Sequence, residues 1–245
     1  MTSAKTIGEL RAAAREGLLG RYGTAITAFI IFMFIELGAS GLLRALIPTG
    51  SVTLVVLSFV AAFIVELLMG VLVSGLAYLY LNIIYAQPVS VSDVFFGFKE
   101  HPEKAVAIQA VFSAADILPL IPAQILVSRG LLAGANIPQA PMLITLTAAG
   151  AVIALIVHLT YSQSFYLLHD YPDRSAMELL QASRGMMRGE RLKLLTVYLS
   201  FIPMALLGII TLFLPLLWVR AYLETTLAAF YKELVSKRHE RSVAL

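Results

Sequence analysis

Residues 53–86 read TLVVLSFVAAFIVELLMGVLVSGLAYLYLNIIYA, 34 positions whose only formal charge is Glu66. A membrane-crossing helix needs about 20 apolar residues at 1.5 Å each, so the run is generous for one span and short for two. Whether it crosses once or turns back decides the side on which every later loop lies, and with it the fold. Its internal pattern favours one long, tilted helix. Ala62, Glu66, Gly70, Ser74, Tyr78 and Asn82 recur in steps of four. The row drifts by about 40° per step, but its central members share a face. Small residues on that face permit close helix approach, so it points into a bundle, with Gly70 and Gly75 as the expected bending points.

Further apolar runs lie at 24–47, 104–128, 141–168 and 192–234. Hydrophobic types make up 59% of the 245 residues and charged types 13%, against about 45–50% and about 25% in soluble domains. Mean hydropathy is +0.86. Too little charge remains to solvate a globule of this size, and a chain this apolar is not disordered. The absence of cysteine excludes disulfides, thiolate metal sites and cysteine catalysis. The net charge of +3 reads as cytoplasmic loops and contact with anionic lipid rather than nucleic-acid binding.

The basic residues alternate between loops. Lys5, Arg11, Arg15 and Arg21 precede the first run; Arg44 follows it alone; Lys99 and Lys104 come next, then Arg129 alone, then Arg174, Arg184, Arg188, Arg191 and Lys193. The positive-inside rule places the N-terminus in the cytoplasm, and splitting 53–86 would move the richest basic loop outside. The tail with Lys232, Lys237, Arg238 and Arg241 has to return inside, so 192–234 is a hairpin with Pro215 in the first turn of its second helix. Residues 2–22 are charged and amphipathic, unlike a cleavable signal. The expected fold is all-α: one integral-membrane domain over 1–245, a multi-pass protein of the cell membrane. Its six spans lie at about 24–47, 53–86, 104–128, 141–168, 192–211 and 215–234, with both termini cytoplasmic.

Three segments repeat a spacing. Thr6 with Glu9, Leu10 and Arg15 matches Ser90 with Asp93, Val94 and Lys99, and again Ser175 with Glu178, Leu179 and Arg184. A hydroxyl three residues before an acid is a capping box, which starts a helix. Each such helix is expected to lie on the inner face with its aliphatic side in lipid and its cation at the headgroups. The proposed unit is an interfacial helix followed by a span out and a span back, over about 1–89, 90–174 and 175–245. Arg15, Lys99, Arg184 and Arg188 are then candidate lipid-headgroup contacts.

A charge in hydrocarbon costs a few kcal/mol, so polar residues inside the runs carry most of the functional signal. These are Glu36, Glu66, Asp116, His158, Arg220 and Glu224. Gln109, Ser113 and Asp116 share a helix face, Pro119 and Pro122 bend the helix after it, and Arg220 and Glu224 are spaced to pair on one helix. They serve either as structural glue between helices or as a proton or cation path.

Enzyme signals are sparse. Gly38-Ala-Ser40-Gly41 matches the serine neighbourhood of rhomboid proteases and, with His158, forms at most a remote candidate for an intramembrane hydrolase. No metalloprotease, phosphate-loop or dinucleotide motif is present, and the four histidines are too scattered for a metal site. No catalytic residue, cofactor or metal is expected. His169-Asp170 reads as an interfacial cap rather than a catalytic pair.

The most specific stretch runs from Asp170-Tyr-Pro172 through Ser175, Glu178, Ser183, Met187 and Gly189 to Ser200-Phe201, then Trp218, Tyr222 and Phe230-Tyr231. Together with Ala14-Arg15 and Leu18-Leu-Gly20 it resembles the bacterial integral-membrane family catalogued as domain of unknown function 975. The family usually has Trp at the position of Met204 and Pro-Tyr at Ala221-Tyr222. The resemblance implies a six-helix inner-membrane protein and brings no activity. The expected role is therefore non-enzymatic, through binding of anionic lipid or another membrane protein in envelope maintenance, immunity or assembly. The alternative is a small proton- or cation-coupled transporter using Glu66, Asp116 and Glu224.

Overall fold

The computed structural model describes residues 5–47, 51–132, 140–211 and 213–243, and every regular element among them is helical. The chain runs α1 (Ile7–Leu18), α2 (Tyr22–Leu46), α3 (Val52–Ile84), a 3₁₀ turn (Val91–Phe95) continued by α4 (Phe96–Lys99), and α5 (Pro102–Ile117). A second 3₁₀ turn (Leu118–Leu120) leads into α6 (Ile121–Leu132), α7 (Ala140–Tyr161), α8 (Ser164–Asp170), α9 (Ala176–Met186), α10 (Arg191–Ile210) and α11 (Pro215–Val243).

The 53–86 run is one unbroken helix. Its 33 residues start at a Ser51 cap that accepts the Leu54 N–H, and at 1.5 Å per residue it is about 50 Å long. Gly70 and Gly75, expected as bending points, admit close neighbours. A Cβ on Gly70 would lie 2.3 Å from the Gln109 Cβ of α5, and one on Gly75 would lie 2.0 Å from the Val94 carbonyl oxygen.

Among the described residues, five stretches are long and apolar enough to cross a membrane: Tyr22–Leu46, Thr53–Ile84, Pro102–Val127, Pro141–Asp170 and Arg191–Ile210. That is one fewer than the six expected. The segment expected as a sixth span opens α11 at Pro215, but the helix continues past 234 to Val243. Charges at Arg220, Glu224, Lys232, Glu233 and Lys237 make it the least apolar of the long helices. In the third stretch the 3₁₀ turn contains Pro119 and Pro122 follows in the first turn of α6, so two backbone donors are missing there. Phe34 and Leu37 of α2, Leu57 and Ile64 of α3, Ile144 and Ile156 of α7, and Leu207 and Ile210 of α10 are exposed. An apolar exterior of this extent is compatible with a membrane protein.

All three capping boxes form, at Thr6/Glu9, Ser90/Asp93 and Ser175/Glu178, each with both reciprocal bonds. Two expectations about them are corrected. The middle segment is no amphipathic helix but a 3₁₀ turn running into the single turn of α4. The aliphatic side also does not face outward: Leu10, Val94 and Leu179 are each fully buried. Packed helix ends offer denser dispersion contacts than fluid lipid does, so the segments close the bundle rather than float on it. Segment 91–99 packs on α3, α9 packs on α8 with α5 and α7 beside it, and α1 packs on the last helix, α11. Each capped segment thus rests on the long helix stretch that precedes it, and the first rests on the last.

Candidate functional site

The six polar residues singled out within the apolar runs come from five helices and line one cavity of about 440 Å³. Glu36 comes from α2, Glu66 from α3, Asp116 from α5, His158 from α7, and Arg220 and Glu224 from α11. Two pairs form. The His158 imidazole Nε2 lies 3.0 Å from an Asp116 carboxylate oxygen, with both side chains about half exposed (49% and 46%). Arg220 meets Glu224 one turn on at 2.6 Å, and its guanidinium also lies 5.5 Å from the centre of the Phe29 ring. Glu36 and Glu66 have no cationic partner among the described residues. Glu66 is met by the Gln109 amide and lies within electrostatic reach of Glu36 and Asp116.

Gln163, in the break between α7 and α8, also lines the cavity. It is 1% exposed. Its amide N–H₂ donates to the Ser162 hydroxyl at 2.7 Å, and its backbone N–H donates to Ser183 Oγ at 3.2 Å. The side-chain oxygen has no hydrogen-bond partner among the described residues, which is costly for a buried acceptor.

The candidate lipid-contact cations lie elsewhere. Arg15, Lys99, Arg184 and Arg188 are exposed, and none is in an ion pair among the described residues. Arg11 and Arg15 line a second cavity of about 500 Å³ with Tyr22, Trp218 and Tyr222. The Arg11 guanidinium stacks on Phe201 and Tyr222, 4.9 and 5.5 Å from their ring centres, while the Tyr222 hydroxyl donates to the Arg11 carbonyl at 3.1 Å. The capping-box carboxyls of Glu9 and Glu178 are held below the ordinary glutamate pKa. The backbone N–H groups of Thr6 and Ser175 hold the charged form first, and the hydroxyls of the same residues second. The caps therefore strengthen helix starts above the ordinary glutamate pKa and weaken as pH falls through the lowered folded value.

Ser40 lies within α2, six residues before its end, and makes no hydrogen bond to His158, whose ring is engaged by Asp116. His169 and Asp170 are bound separately. The His169 ring contacts the Ser74 carbonyl and hydroxyl at 2.8 and 3.2 Å, and Asp170 accepts from the Tyr231 hydroxyl at 2.6 Å. No cluster of three or more acids and histidines among the described residues is placed to hold a metal ion.

The family described as Protein of unknown function (DUF975) matches residues 1–238. The chain belongs to that family. Comparisons with curated proteins and with solved structures find no match.

The residues that carry the family likeness lie from the end of α8 to α11, some buried and some exposed. Asp170 gathers the hydroxyls of Tyr231 and Tyr85, and the Pro172 carbonyl accepts from the Lys104 ammonium. Ser175 and Glu178 form the third capping box. Ser183 Oγ donates to the Thr160 carbonyl at 3.2 Å. Met187, Phe230 and Tyr231 are fully buried, and Gly189 takes the left-handed turn at φ 82° that disfavours other residues. Ser200 Oγ donates to the Val197 carbonyl, Phe201 meets Tyr222 edge-on at 5.0 Å, and Trp218 stands at the basic cavity. None of these residues lines the acidic cavity. Reading for charge found the ionisable wall of that cavity and missed Gln163 and Tyr166. The run of polar types Thr160-Tyr-Ser-Gln163 inside an apolar stretch was the available signal.

Proposed function

We propose that this chain is a non-enzymatic, multi-pass protein of the cell membrane that acts by binding anionic lipid or another membrane protein, in an envelope-maintenance, immunity or assembly role. In this reading α11 supplies the sixth span, the spans form three hairpins, and both ends lie in the cytoplasm. The observation that carries it is the exposure of Arg15, Lys99 and Arg184 with no ion pair among the described residues, each toward the end of a segment opened by a capping box. The Arg11–Arg15 cavity with its tyrosine and tryptophan walls suits a phosphate headgroup with an acyl chain alongside.

A cation near an anionic surface contributes about 1 kcal/mol, so the triple variant Arg15/Lys99/Arg184→Gln is expected to lower anionic-lipid affinity on the order of a hundredfold. Native mass spectrometry from mixed lipids reads this as lost adducts, and unchanged retention removes lipid binding. The topology has its own check, because the chain lacks native cysteine. Gln181→Cys is expected to react with a membrane-impermeant reagent only after permeabilisation, and Phe213→Cys in intact cells. The reverse pattern overturns the six-span arrangement.

A second reading rests on the convergence of Glu36, Glu66, Asp116 and Glu224 on one cavity. Carboxylates at membrane depth that face a cavity mark ion and proton paths in many membrane proteins, which supports a small proton- or cation-coupled transporter.

A further inference from the structure

We propose that the acidic cavity is a binding site for an organic ammonium ion carrying N–H donors and an apolar body. The inference deepens the transporter reading by naming its ligand class, and it rests on that reading only for the step of transport.

Charge is the first ground. The cavity holds four carboxyl groups against one guanidinium and one imidazole. Arg220 is taken by Glu224 and His158 by Asp116, so Glu36 and Glu66 are left to be balanced by whatever enters. The second ground is independent of charge. Gln163 is buried, lines the same cavity and has a side-chain oxygen without a donor among the described residues, while its N–H₂ donates to Ser162. Two carboxylates and an orphan amide oxygen are all acceptors, so the complementary ligand is cationic and donates hydrogen bonds.

The walls set the rest of the ligand. Phe32, Phe112, Phe165, Tyr166 and Tyr198 line the cavity. Aromatic faces attract organic ammonium ions and cover apolar carbon. The volume of about 440 Å³ lies within the range of about 300–1,000 Å³ typical of small-molecule sites. A metal cation requires several oxygens converging to within about 2.6 Å of one point, and no such acid or histidine cluster occurs among the described residues. A primary or secondary amine satisfies the acids, the Gln163 oxygen and the rings together.

The test uses the full chain in detergent, with 2-phenylethylammonium as the probe and 2-phenylethanol as a neutral control of similar shape. Isothermal titration is expected to show saturable binding of the amine and none of the alcohol. Glu36→Gln and Glu66→Gln are each expected to weaken binding on the order of thirtyfold, as loss of one partner from a partly desolvated charge pair does. Gln163→Leu should weaken it with all charges intact. Neutralising an unpaired acid at membrane depth does not endanger the fold, and the exposed Glu36 provides the variant least coupled to packing. Equal binding of amine and alcohol, no binding of either, or wild-type affinity in both glutamate variants overturns the site. Flux of the amine into proteoliposomes is measured in parallel. Binding without flux supports the site and removes the transporter reading, whereas flux that survives in both glutamate variants overturns the site.

Discussion

Gly75→Ala should lower stability by about 3 kcal/mol, the upper part of the usual cost of overpacking a tight contact. The added methyl would sit 2.0 Å from the Val94 carbonyl oxygen and 2.7 Å from that of Asp93. Both obstacles are backbone atoms of the capped segment at Ser90, so no rotamer change relieves the clash. The contact is reciprocal: a Cβ on Gly97 would lie 2.2 Å from the Val71 carbonyl oxygen on α3. Either substitution pushes α3 and segment 91–99 apart, so Gly75→Ala/Gly97→Ala is expected to cost clearly less than the sum of its parts. Gly41→Ala in α2, where a Cβ meets nothing within 4 Å, is the matched control and should melt at or slightly above the parent. Thermal loss of helical circular dichroism in detergent measures the parent, the two single variants, their double and the control. A Gly75→Ala protein that melts with the parent shows that the segment does not need this approach.

That glycine pair illustrates what sequence could and could not reveal. Steps of four from Ala62 to Asn82 identify a small, polar face on α3 and imply close approach to something, because residue spacing reports the geometry of an element relative to its own axis. The identity of the neighbour depends on side chains elsewhere, so the close approach of Gly70 to Gln109 and of Gly75 to Val94 was not legible. The capping boxes were legible in full because they are local: every atom of the Thr6–Glu9 arrangement lies within four residues. Burial of Leu10 was not, because its cover comes from α11, far along the chain. The cavity follows the same division. Charge in an apolar run marks Glu36, Glu66, Asp116, His158, Arg220 and Glu224 one by one, but their convergence, and the pairing of Asp116 with His158 across 42 positions, is a tertiary fact. Gln163 escaped because it carries no charge and sits in the break between α7 and α8, where helical periodicity lapses.

Glu233→Ala is expected to cost about 3 kcal/mol, near the lower end for breaking a buried ion pair. The carboxyl is 5% exposed and takes the Lys193 ammonium at 2.8 Å and that of Lys237 at 3.0 Å. It also accepts the Lys5 backbone N–H at 3.1 Å. One side chain thereby joins the chain just before α1, the first turn of α10 and the last third of α11. Truncation leaves Lys193 partly buried with no acid, whereas Lys237 keeps Glu190 at 3.0 Å; most of the loss therefore falls on Lys193. Two consequences separate this account from a simple cavity effect. Lys237→Met should cost less than Glu233→Ala, since it strands only the partly exposed Glu190. The double variant Lys193→Met/Glu233→Met should recover most of the loss, because replacing both partners with apolar residues removes the uncompensated charge. Melting of the parent, Lys193→Met, Glu233→Met and their double in one detergent provides the cycle, with Glu233→Ala and Lys237→Met measured beside it. If the double variant is as unstable as Glu233→Ala, the stabilisation lies in the packing of Glu233 and not in its charge, and the node is a steric one.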